Sequence, residues 1–158
     1  MIIEENAGEK IMDTGPLDKA YLKAGSQIGR YEIERLLRRG VDVAIYRAVD
    51  SESGEVAALK TLRLQGDAAA AVHRFERIMP VIAWFHHPHI VDVWDYSVKG
   101  DKVYIFMPFV EGATLRDKLS QHRGGLPRDE ALANFETILE TVDYIHERDV
   151  LHLGLTPR

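Results

Sequence analysis

The sequence predicts an α+β fold: a five-stranded antiparallel sheet, one helix inserted between its third and fourth strands, and two helices after the sheet. Two observations carry that prediction. Short apolar runs of strand period, joined by turn residues, fill the first half, and a single stretch of helical period interrupts them. Beyond Pro108 the period is helical almost to the end. Strands grouped apart from helices build a sheet with helices beside it, not a parallel sheet wound on both faces.

Each element follows in order. Residues 1–25 mix glycine, proline, acids and scattered apolar side chains, and are expected to form a flexible or loosely docked extension with room for a short helix near Pro16–Lys23. Ordered structure is expected from Ser26. Tyr31–Leu37 and Val43–Ala48 read as paired strands around a turn containing Gly40, and Val56–Leu62 as a third strand after the turn residues Ser51–Gly54. Ala68–Phe85 places Val72, Phe75, Met79 and Ile82 on one helical stripe. Pro80 is expected to kink or end that helix, because it lacks a backbone donor and clashes one turn back, at a cost of roughly 3 kcal/mol. Ile90–Tyr96 and Val103–Met107 complete the sheet, joined through a turn at Lys99–Asp101. Thr114 can cap a short helix, and the Gly124–Pro127 stretch breaks it. A longer helix over Arg128–Glu147 carries Leu132, Phe135, Ile138, Leu139, Val142 and Ile145 on one face, and Asp149–Arg158 is an irregular tail.

Composition narrows the function classes. A chain of 158 residues suits one domain of ordinary size. It has no cysteine, so neither disulfides nor thiolate chemistry enter. The net charge is −5 with no strongly basic segment, which argues against nucleic acid or an anionic membrane as partner. No apolar run approaches the ~20 residues that span a bilayer, and the first residues carry acid where a secretory signal carries base. A cytoplasmic location is expected.

Five phrases, in this order, resemble a protein kinase of the bacterial Ser/Thr type. They are GSQIGRYEIERLLRRG (25–40), VAALK (56–60), HHPHIVDVWDYSV (86–98), VYIFMPFVEGATLRDKL (103–119) and DVLHLGLTPR (149–158). The resemblance implies a kinase N-lobe over residues 26–107, a hinge over 108–112, and over 113–158 the truncated start of a C-lobe ending in a degenerate catalytic loop.

The resemblance also implies site residues. Lys60 matches the lysine that holds the nucleotide α- and β-phosphates and pairs with a glutamate on the regulatory helix. Counting back from His87–Ile90 puts that glutamate's position at Ile78, which accepts no hydrogen bond; Glu76, two residues away, should face elsewhere. The phosphate loop keeps Gly40 alone of the family's G-x-G-x-x-G-x-V glycines. Arg38 and Val43 stand in place of the other two, and Asp42 adds negative charge. The adenine pocket would comprise Leu37, Ile45, Ala58 and Met107, with the Pro108 carbonyl and the Val110 N–H at the hinge. Every one of these residues is also what an ordinary sheet core and hairpin require.

In the catalytic loop Gly154 replaces the aspartate that accepts the substrate proton, and Thr156 stands where these kinases usually carry lysine. The sequence stops before the asparagine and the D-F-G aspartate that hold magnesium. No catalytic residue is therefore assigned, ATP binding is expected to be weak at most, and magnesium is not expected. His86, His87 and His89 could suggest a metal site, but the His-Pro phrase accounts for His87 structurally and no metal is assigned.

The leading reading is an inactive, pseudokinase-like regulatory or binding module. Its alternatives are a Ser/Thr protein kinase represented by its N-terminal half and a remnant without function. The uncovered face of the 128–147 helix, with Val150 and Leu151, is expected to mediate self-association or to bind a partner protein.

Overall fold

The computed structural model describes residues 21–122 and 124–157. The expected helix near Pro16–Lys23 lies almost wholly outside them, as does most of the expected extension. The strands are Gln27–Ile28 (β1), Tyr31–Arg39 (β2), Val43–Asp50 (β3), Val56–Arg63 (β4), Asp95–Lys99 (β5) and Lys102–Pro108 (β6). The helices are Ala68–Ala83 (α1), Leu115–Gln121 (α2) and Arg128–His146 (α3). One antiparallel sheet runs in the order β1-β2-β3-β4-β6-β5. It contains the five expected strands and one more. The added β1 folds onto β2 through Gly29, whose φ of 62° suits a tight turn.

Cross-strand partners project to the same face, so the register defines two surfaces. Tyr46, Leu59 and Phe106 are mutual partners on one face, within a core of Tyr31, Ile33, Ala44, Ala48, Ala57 and Tyr104. Tyr31 stacks on Phe106 with ring centroids 4.0 Å apart. The opposite face carries Ile45, Ala58, Val103, Ile105 and Met107, and here Met79 of α1 closes a second core.

Order begins earlier than Ser26. The Tyr21 hydroxyl donates to the Gly40 carbonyl (2.9 Å), the Leu22 N–H donates to the Tyr46 hydroxyl (3.1 Å), and both side chains pack on the first core. Asp50, only 3% exposed, closes the β3–β4 turn. Its carboxylate accepts from the Glu52 N–H (2.9 Å) and pairs with the Arg30 guanidinium (2.8 Å), and these contacts hold it below the usual carboxylate range.

Two expectations are corrected, the early break at Pro80 and the start of the fourth strand. α1 runs through Pro80 to Ala83 without ending early. Pro80 is exposed in the last turn, and the stripe Ala71, Phe75, Met79 and Ile82 anchors the helix to the sheet on both sides of it. Asp67 starts the helix by accepting from the Ala69 and Ala70 N–H groups. The fourth long strand begins at Asp95, not Ile90. Val91 and Val93 still pack into the second core. Their apolar pattern reports burial beside the sheet, not ladder pairing.

The Thr114 cap forms as expected, with Asp117 completing a capping box. In α3 only Ile145 is buried, while Leu132, Phe135 and Leu139 are 47%, 57% and 50% exposed.

Candidate functional site

The β-ladder assembles the site. Arg38 pairs with Ile45, Ile45 with Lys60, and Lys60 with Ile105. Ala58, two residues from Lys60 and so on the same face, pairs with Met107. Leu37, Ile45, Ala58 and Met107 thus gather in one cluster on the face that Lys60 shares. Pro108 ends β6 opposite Ala57. At Val110 the chain has left the sheet, and its N–H reaches no backbone acceptor among the described residues. The strand register places Ile45, Ala58, Met107 and Lys60 on one surface, and Leu37 packs against the same cluster.

Lys60 is half-buried, and its ammonium makes no hydrogen bond or ion pair among the described residues. Burial lowers its pKa, and the positive charge of Arg38 lowers it further. Across from the sheet, α1 turns Met79, with Phe75 and Ile82, toward the core; Ile78 is 45% exposed and Glu76 is exposed. Neither position supplies an ion pair to the lysine.

The loop between β2 and β3 is closed on itself. The Gly40 N–H donates to the Val43 carbonyl (2.7 Å), and a Cβ at residue 40 would meet that oxygen at 3.1 Å. A side chain at residue 40 would crowd that oxygen, so glycine suits the close approach within the hairpin. The Asp42 carboxylate accepts from Gln65 Nε2 (2.6 Å).

In the tail, Gly154 is exposed, and a Cβ there would meet only the His152 carbonyl, at 3.8 Å. Neither space nor backbone conformation demands glycine at 154. The Arg116 N–H donates to the Pro157 carbonyl (2.8 Å), tying the tail to the start of α2.

His86 Nδ1 lies 3.4 Å from Asp92 Oδ1, and the His87 and His89 rings meet edge-on. Among the described residues no three side chains of ligating type converge. Tyr144 of α3 is the organising residue of this corner, and the helical pattern did not single it out. Its hydroxyl donates to the His86 carbonyl (3.2 Å) and accepts from the His86 N–H (3.3 Å). Its ring sits against Phe85 and His87 beneath the Arg148 guanidinium.

Comparison with known proteins bears on this geometry directly. The profile of the protein kinase domain matches residues 31–158. The chain belongs to the protein kinase family. It is 31% identical over 145 residues to CBL-interacting serine/threonine-protein kinase 9 of Arabidopsis thaliana, covering 91% of this chain and 32% of that protein. It is 31% identical over 134 residues to CBL-interacting protein kinase 12 of Oryza sativa subsp. japonica, covering 84% of this chain and 24% of the relative. The crystal structure of the Mycobacterium tuberculosis PknI kinase domain superposes with a TM-score of 0.76 at 27% identity, over 87% of this chain and 56% of that one. This kinase-domain chain therefore spans about a third or less of these curated relatives and just over half of the solved domain.

Within a kinase domain the residues present fit a nucleotide. Leu37, Ile45, Ala58 and Met107 form an apolar cluster in which Ile45, Ala58 and Met107 are buried, the Val110 N–H reaches no backbone acceptor among the described residues, and Lys60 beside them carries positive charge that would suit phosphate. A bound nucleotide would supply the transferable phosphoryl group.

Proposed function

We propose that this chain is a pseudokinase-type module that binds a nucleotide weakly and does not transfer its phosphate. One observation carries the reading: the site keeps the lysine and the apolar cluster beside it but lacks the carboxylates that make them a catalyst. At the position matching the catalytic aspartate, Gly154 has no group to take a proton from an attacking hydroxyl. At the position matching the glutamate partner, Ile78 cannot orient Lys60. Apolar packing toward the base and charge toward the phosphates remain, and both serve binding.

Thermal shift with ATP tests the binding half. Saturable stabilisation of the chain, lost in Lys60→Ala, is expected. An unchanged melting temperature at millimolar ATP contradicts it and leaves a scaffold or a remnant.

The names of the relatives favour a second reading, in which the chain contributes to a Ser/Thr kinase transferring the ATP γ-phosphate to protein hydroxyls. Gly154 weighs against it. We further propose that α3 pairs with a second copy through Leu132, Phe135 and Leu139, and that the protein acts in the cytoplasm. Among the described residues no helix is long and apolar enough to cross a membrane.

A further inference from the structure

Three features around Lys60 belong together. The Gly40 N–H, the loop amide that a phosphate would approach in a kinase, is already bonded to the Val43 carbonyl. Arg38 stands where the family has a glycine. Its partner across β2 and β3 is Ile45, whose partner across β3 and β4 is Lys60. Arg38 and Lys60 thus share a face, their Cα atoms separated by two strand spacings, about 10 Å. Both side chains are long enough to reach one ligand between them.

Neither cation has a carboxylate partner among the described residues. Asp42 is turned to Gln65, Glu34 pairs with Arg47, and Ile78 occupies the position matching the helix glutamate. Two uncompensated cations on one surface repel each other, and the repulsion registers at Lys60. An anion between them reverses the sign of both interactions. The guanidinium offers a planar fork to two phosphate oxygens, and the ammonium a point charge.

We propose that Arg38 and Lys60 form a two-cation clamp for the polyphosphate of a nucleotide, so that this chain holds its nucleotide without a divalent metal. The clamp rests on the nucleotide-binding reading above and adds its charge chemistry: side chains take the place of the loop amides and share the neutralisation that metal ions provide in phosphoryl-transfer enzymes. Arg38 is a specificity residue here. It favours di- and triphosphates over the nucleoside.

Calorimetric titration separates the outcomes. ATP, ADP and adenosine are titrated into the full chain with EDTA and with magnesium, for the wild type, Arg38→Ala and Lys60→Ala. ATP is expected to bind in EDTA with an affinity within about twofold of that in magnesium, as two side-chain cations already neutralise it. Arg38→Ala is expected to weaken ATP by about tenfold, the scale of one charged hydrogen bond, and to leave adenosine unchanged. The unchanged adenosine affinity shows that the pocket is intact in the variant. ATP binding that needs magnesium, or that Arg38→Ala leaves as tight as wild type, overturns the clamp while the nucleotide-binding reading stands. No ATP binding under either condition overturns both.

Discussion

Lys60 sits on a strand face with apolar residues on either side and Arg38 as its nearest charge, so folding places an ammonium where it is poorly solvated. Its lowered pKa has a consequence for stability. Between the folded and unfolded values the unfolded chain holds a proton that the folded chain does not, so stability rises with pH across that interval. Below the folded value the penalty is complete. Lys60→Met, which keeps the stem and removes the charge, is expected to raise the melting temperature at neutral pH, on the order of a few degrees. The gain should shrink as pH climbs toward the ordinary lysine value. Calorimetric scans of both proteins at several pH values check this, and a lower melting temperature for Lys60→Met at pH 7 would count against it. At Gly154 there is room for a side chain, and Gly154→Asp is expected to fold with an unchanged melting temperature. Lys60 was singled out by the VAALK phrase. The nearness of Arg38 was not, because a bulge between Leu36 and Arg38 breaks the period of two and sets Arg38 opposite Ile45.

Among the elements, β2, β3, β4, β6 and α1 could be read from periodicity because each packs an apolar stripe into a core, whereas α2 was marked by its Thr114 cap and α3 by an apolar stripe that stays largely exposed. Misreadings arose where a local rule met packing. Pro80 weakens α1, yet Phe75, Met79 and Ile82 hold it to the sheet on either side, and a proline one turn from the end disturbs few backbone bonds. Tyr144 escaped notice for a different reason: its role is a contact between elements 58 residues apart, which no local pattern encodes. It clamps α3 to the segment leading out of α1. Tyr144→Phe keeps the ring against Phe85 and loses both hydroxyl bonds to His86, which should cost about 1 kcal/mol. Hydrogen exchange should then quicken at His86 and its neighbours and stay the same in β3 and β4. Equal protection in the two proteins would show that the hydroxyl bonds do not hold this junction.

At the scale of the whole molecule the two halves differ in cover. The sheet has a core on each face, whereas α3 leaves Leu132, Phe135 and Leu139 open to solvent. This stripe of large apolar side chains is the surface through which we propose that α3 pairs with a second copy. Light scattering is expected to show a mass that rises with concentration, and Phe135→Glu to abolish the rise; a mass constant at the monomer value across the range contradicts it. The fold could be read from the order of its elements because each phrase of the sequence recurs at kinase spacing. The charge balance around Lys60 needed coordinates, since it depends on which side chains meet across strands. The proposed function turns on whether a nucleotide bound beside Lys60 would lose its phosphate. The direct test is transfer of label from γ-labelled ATP, with magnesium, to a general protein substrate and to the chain itself. No incorporation above a blank without the chain is predicted. Time-dependent incorporation that requires this chain and disappears in Lys60→Ala would contradict the account.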